Sequence, residues 1–85
     1  MLRVFFHPRT EKQILRIRKS IRTNILDSIS ELQMLDHPLQ HRRVIKLSGR
    51  DGEDFRLRVG DYRVKFSFQN NVVRINRVEH RQVGY

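Results

Sequence analysis

Hydrophobic positions along this 85-residue chain change period once, and the change divides it into two kinds of structure. Met1–Phe6 carries Val4, Phe5 and Phe6 and predicts a short strand. His7-Pro8 stops it, because proline has no N–H for a ladder and fits the first turn of a helix. The period then lengthens: Ile14, Ile17 and Ile21 share one helical face, as do Ile25, Ile29 and Leu32, with Leu26 alongside. Ser20 and the Thr23-Asn24 pair are weak helix formers near the midpoint, so two short helices in a hairpin are expected. His37-Pro38 closes the helical part, since the residue before proline is driven out of the α region.

From Phe55 onward the period is two. Phe55, Leu57 and Val59 point one way and Arg56 and Arg58 the other. After Gly60-Asp61, which suits a two-residue turn with glycine first, Tyr62, Val64, Phe66 and Phe68 alternate with Arg63, Lys65 and Ser67. Asn70-Asn71 suits a turn with positive φ at both positions. Val72–Val78 then gives a further strand, less cleanly alternating, as befits a more central place. The expected fold is α+β in the order β-α-α-β-β-β. A helical hairpin covers one face of a mainly antiparallel four-stranded sheet, in a single domain over residues 1–85.

Composition narrows the chemistry. The chain has 18 Lys and Arg, 9 Asp and Glu and no cysteine, giving a net charge of +9. Disulfides, thiolate catalysis and cysteine-based metal sites are excluded. The four histidines have no metal-ligand spacing, and there is no phosphate-binding glycine loop, nucleophile elbow or paired-carboxylate signature. The longest apolar run, Val4–Phe6, is too short for a membrane span or a signal h-region, so the expected compartment is the cytoplasm.

Charge is also unevenly placed. Lys and Arg are absent between residues 25 and 41 and interleave with apolar residues on both sides of that stretch, which is unlike a disordered basic tail. Polar residues belong on the open face of a half-covered sheet in any case. That ordinary rule accounts less well for an outward row that is almost wholly cationic, because like charges opposite one another repel. Arg56, Arg58, Arg63 and Lys65 therefore predict a surface for a polyanion, with phosphates held by guanidinium groups. The helical cluster Arg16, Arg18, Lys19 and Arg22 reads as a solvated face.

Three stretches together resemble one family. Phe55-Arg56-Leu57-Arg58-Val59-Gly60-Asp61-Tyr62-Arg63-Val64 resembles the central hairpin of the RelE/ParE toxin superfamily. Val44-Ile45-Lys46-Leu47-Ser48-Gly49 resembles its lead-in, and Arg77-Val78-Glu79-His80-Arg81-Gln82-Val83-Gly84-Tyr85 its close. The resemblance implies the RelE-like microbial RNase fold and a toxin of a type II toxin–antitoxin pair. The His-Arg-x-x-x-Tyr ending favours the RelE branch. That branch implies cleavage of mRNA in the ribosomal A site, among rRNA, without metal or other cofactor, and neutralisation by a cognate antitoxin. A ParE-like toxin acting on DNA gyrase and a non-catalytic nucleic-acid or antitoxin-binding module stay open as alternatives.

Carried over by position, the resemblance implies that Arg58, Arg63 and Arg81 stabilise a phosphorane, with Arg56, Lys65 and Lys46 as further phosphate contacts. Tyr85 would stack on a base or accept a proton, and His80 has the intrinsic pKa for acid–base work. Glu79 stands where the family has glycine. Its carboxylate is expected to orient Arg81 or His80, or to weaken the positive field.

Overall fold

The structure, a computed structural model, describes residues 1–47 and 53–81. Its elements are β1 (Arg3–Phe6), α1 (Pro8–Leu15), α2 (Lys19–Gln33), a 3-10 turn (Pro38–Gln40), β2 (Val44–Lys46), β3 (Phe55–Val59), β4 (Tyr62–Gln69) and β5 (Val72–His80). The five strands form one sheet in the order β1-β5-β4-β3-β2. β1 runs parallel to β5, and the remaining neighbours are antiparallel.

The expected α+β order holds, with one strand more than expected. Val44–Lys46 pairs with β3 as an edge strand, making the sheet five-stranded and mixed. At three residues it is too short to show an alternation of its own.

The helical hairpin is present, but its break lies earlier than Ser20 or Thr23-Asn24. α1 ends at Leu15, the chain turns through Arg16–Arg18, and α2 then runs unbroken for 15 residues. Thr23 is accommodated by donating its hydroxyl to the Lys19 carbonyl one turn back, at 2.9 Å. Both His-Pro pairs act as helix starts. His7 Nδ1 accepts from the Arg9 N–H and His37 Nδ1 from the Leu39 N–H, each at 3.1 Å.

The core lies between the helices and one face of the sheet. Ile14, Ile25, Ile29 and Leu32 meet Leu57, Val64, Phe66, Val73, Ile75 and Val78, all buried. Phe55 and Phe66 stack with ring centroids 5.5 Å apart. The imperfect alternation of β5 has a local cause: Lys65 pairs with Arg77 and Phe66 with Ile75, so Asn76 is an extra residue in a β-bulge. Beyond the end of β1, α1 side chains cover the exposed side of β5. Thr10 Oγ1 donates to the Ile75 carbonyl at 3.2 Å, and Gln13 Oε1 accepts from the Val78 N–H at 2.9 Å.

With one face of the sheet given to the core, the other is left open among the described residues. It carries Arg56 and Arg58 from β3, Arg63 and Lys65 from β4, and Arg74 and Glu79 from β5.

Candidate nucleic-acid interface

Two tight turns set the geometry. Gly60 has φ of +58°, which a two-residue hairpin with glycine first requires, and Asn70 and Asn71 have φ of 53° and 64°. The first turn fixes the β3–β4 register, placing Arg58 directly opposite Arg63 and Arg56 opposite Lys65. The second pairs β4 with β5 from Gln69–Val72 to Phe66–Ile75, and the bulge at Asn76 then shifts the register by one, placing Lys65 opposite Arg77 and Arg63 opposite Glu79.

Four guanidinium groups consequently surround the Gly60-Asp61 turn. Arg56, Arg58, Arg63 and Arg81 line a cleft of about 170 Å³, with Gly60, Asp61 and Tyr62 completing its wall. Among the described residues, no carboxylate pairs with Arg56, Arg58 or Arg63. Arg81 is tied by its backbone N–H to the Asp61 carbonyl at 2.8 Å. Its guanidinium lies 3.8 Å from the Asp61 carboxylate, a solvent-exposed pair of little energetic weight. Such a cluster of like charges is chemically suited to an anion, since a phosphate among them would offset their mutual repulsion and accept hydrogen bonds from them.

Farther along the same face, the cations are neutralised. Glu79, 7% exposed, lies 2.5 Å from Lys65 Nζ in a charge pairing rather than a well-directed hydrogen bond, and 3.9 Å from Arg77 Nε. Arg77 forks onto Glu53, with Nε 2.9 Å from Oε2 and its Nη2 on Oε1. That hydrogen-bonded guanidinium is the main reason the Glu53 carboxyl sits below its ordinary pKa. Burial opposes the shift, and the charges of Arg77, Lys65 and Arg9 reinforce it.

The structure brings together five of the eight residues singled out from the sequence: Arg56, Arg58, Arg63 and Arg81 in the cleft, with Lys65 beside it but paired. Lys46 is not among them. It pairs with the core-facing Phe55 and so lies on the other side of the sheet, while Ile45 takes the open-face position opposite Arg56. His80 also faces the helices. Its ring meets Tyr62 edge-on, centroids 5.0 Å apart, in a separate cavity with Ile21 and Asn24. Tyr85 lies outside the described residues. Sequence reasoning missed Glu53 and Arg77, whose pairing bridges 24 positions and carries no local signal. Asp61, a turn residue by its place after Gly60, also anchors Arg81 through its carbonyl.

Among the described residues, no three His, Asp or Glu side chains converge as a metal site. No helix there is long and apolar enough to cross a membrane.

Comparison with known proteins gives this geometry a context. The chain is similar over 98% of its length to RelE in the archaeal RelE–RelB complex of Pyrococcus horikoshii OT3, covering 98% of that chain at 29% identity and a TM-score of 0.78. The RelB–RelE complex of Methanococcus jannaschii matches over 92% of this chain and 91% of that one, at 24% identity and a TM-score of 0.74. The intact Escherichia coli RelBE complex matches over 94% and 96%, at 18% identity and a TM-score of 0.71. At such identities the last two show the shared fold alone. A search of the curated proteins finds no match. Residues 4–85 match the sequence profile of the ParE toxin of the type II toxin–antitoxin system parDE. The chain belongs to that family, and it is a RelE/ParE-superfamily toxin of a type II toxin–antitoxin system.

Proposed function

We propose that this toxin is a ribosome-dependent, metal-independent mRNA endoribonuclease of the RelE kind. The observation that supports this reading is the cleft in which Arg56, Arg58, Arg63 and Arg81 meet, with Asp61 the one carboxylate lining it among the described residues. The reaction matches such a site. A ribose 2′-OH loses its proton and attacks the adjacent phosphorus. The bond from phosphorus to the 5′-oxygen breaks, that oxygen gains a proton, and the products are a 2′,3′-cyclic phosphate and a 5′-hydroxyl. Negative charge builds on the non-bridging oxygens, where permanently protonated guanidinium groups stabilise it best. Arg58, Arg63 and Arg81 take that role, and Arg56 holds a flanking phosphate. Lys65, tied to Glu79, and Lys46, on the other face, contribute to longer-range attraction. Tyr85, four residues beyond Arg81, is assigned the proton transfer or base stacking. His80, turned toward Tyr62 and the helices, lacks the direct line to the phosphate that this task requires.

The ribosomal A site presents the message, and rRNA surrounds the bound toxin. The relatives with solved structures are held by RelB antitoxins. We assign this chain an antitoxin too, with an acidic segment that covers the cleft and competes with RNA for it.

Primer extension on ribosome-bound message tests the reading. Codon-positioned cuts that vanish in Arg81→Ala, with growth arrest relieved and antitoxin binding intact, are the expected result. Arg81→Ala retaining full toxicity overturns it. The match to the ParE profile favours a second reading, a toxin acting on DNA gyrase. That alternative gives intact message with DNA cleavage and SOS induction.

A further inference from the structure

The open face has a second cationic site, remote from the guanidinium cleft and built around an aromatic ring. Phe5 on β1 is 45% exposed. It stands beside Arg74 in the parallel β1–β5 pairing, one residue beyond the point where Val4 meets Val73. The Arg74 guanidinium carbon lies 5.9 Å from the Phe5 ring centroid and that of Arg3 lies 5.4 Å from it, both in cation–π range. No carboxylate among the described residues pairs with Arg3 or Arg74. Asp54 shares a polar cleft of about 220 Å³ with Arg74, Ser67 and Gln69, and no ion pair joins it to Arg74.

Core packing does not require this arrangement, because β1 packs Val4 and Phe6, both partly buried, against the core on its other side. An exposed ring held between two uncompensated guanidinium groups has the composition that single-stranded nucleic acid uses. Bases stack on aromatic or guanidinium planes, while the cations take the phosphates.

The charge layout of the face sets the two sites apart. Between them run the neutralised pairs Lys65–Glu79 and Arg77–Glu53. Arg74 lies opposite Ser67, four residues along β4 from Arg63. With Phe5 two strands over, strand geometry puts it about 17 Å from Arg63. That distance is the rise of about five stacked nucleotides.

We propose that Arg3, Phe5 and Arg74 form a second subsite for single-stranded RNA, which holds the strand about five nucleotides from the phosphate in the guanidinium cleft. The subsite rests on the RNA-cleaving reading and extends it: the cleft supplies the chemistry, and the Phe5 subsite supplies reach. A lone exposed ring flanked by guanidinium groups fits a stacked base with its neighbouring phosphates, which makes RNA the occupant.

The experiment measures fluorescence anisotropy of the full chain with labelled oligo(A) of ten and of three nucleotides. Phe5→Ala is expected to weaken binding of the ten-mer about tenfold and leave the three-mer unchanged. Phe5→Trp retains ten-mer affinity. Arg74→Ala lowers it and flattens its salt dependence, which guards against a packing effect at Phe5. Equal affinity of wild type and Phe5→Ala for the ten-mer overturns the subsite, as does a loss of the same size on the three-mer. A loss confined to antitoxin binding, with RNA binding intact, likewise overturns it. If the wild type binds neither oligonucleotide and cuts no message on ribosomes, the RNA-cleaving reading fails first. Message and rRNA present the same chemistry, and a photo-crosslinker at position 5 on ribosomes separates them by the sequence of the RNA captured. Capture of neither counts against the subsite.

Discussion

Glu79 faces Arg63 directly across the β4–β5 ladder, yet its carboxylate reaches diagonally to Lys65. The acid therefore leaves the cleft arginine uncompensated and neutralises a lysine farther along the strand. Of the roles open to Glu79 from sequence, the geometry supports weakening of the positive field, and only on that farther side.

Replacing that acid should trade stability for nucleic-acid affinity. In Glu79→Gln, the largely buried Lys65 ammonium loses its counter-charge, at a cost of about 1–3 kcal/mol in urea unfolding. The freed lysine adds about one phosphate contact, steepening the salt dependence of single-stranded RNA binding by about 0.7 in log–log slope. An unchanged slope would show that Lys65 cannot reach the strand.

Arg58 and Arg63 should behave as charge donors to phosphate rather than as structural residues. Each alanine variant should lower RNA cleavage by roughly 10²–10³-fold. The variants should unfold within about 0.5 kcal/mol of wild type, as expected for side chains without a structural partner. Single-turnover cleavage on programmed ribosomes, paired with thermal unfolding, separates the two effects.

The Glu53–Arg77 pair should appear as acid lability. The folded-state pKa of Glu53 is lowered from about 4.5, so protonation favours the unfolded chain. Its stabilisation is complete above the unfolded value, declines as pH falls through 4.5, and is gone below the folded value. Glu53→Gln should remove this part of the pH dependence. At neutral pH it should cost about 1 kcal/mol, because the half-exposed Arg77 is screened by water. Unfolding curves between pH 3 and 7 check both statements.

The Asn70-Asn71 turn offers a backbone test. Both residues adopt the left-handed conformation, so Asn71→Gly should be neutral or slightly stabilising. Asn71→Val should cost about 1–2 kcal/mol by forcing a β-branched residue into that region. A core truncation gives the upper scale: Phe66→Ala removes a fully buried ring and should cost about 3–5 kcal/mol. For a domain this small, that loss approaches the whole of its stability.

What was legible in the sequence was whatever depends on near neighbours. The alternation in β3 and β4, the two glycine- and asparagine-led turns, and the convergence of Arg56, Arg58 and Arg63 follow from local pattern and hairpin register. The bulge at Asn76, the pairing of Val44–Lys46 and the Glu53–Arg77 and Glu79–Lys65 contacts depend on partners far off in the chain. The helix break illustrates the same limit. Ser20, Thr23 and Asn24 have poor propensity, but a back-bonded hydroxyl and a packed face outweigh it, and the turn falls at Arg16–Arg18 instead. The side of the sheet taken by Lys46 and by His80 is likewise a matter of register, which the family resemblance could not supply.

The parallel pairing of β1 with β5 bears on how such a toxin comes into being. The first strand in the order of synthesis has its ladder partner only in the last, so a nascent chain that has passed β4 still holds Phe5 and Arg3 away from the sheet. The β3–β4 and β4–β5 hairpins are local, whereas the β1–β5 pairing joins the two ends of the chain and is of the slow kind. A truncated product ending before Val72 leaves both β1 and the long β4 with an open edge, prone to aggregation. The open face, and the arginine cleft on it, therefore exist only once β5 has been made.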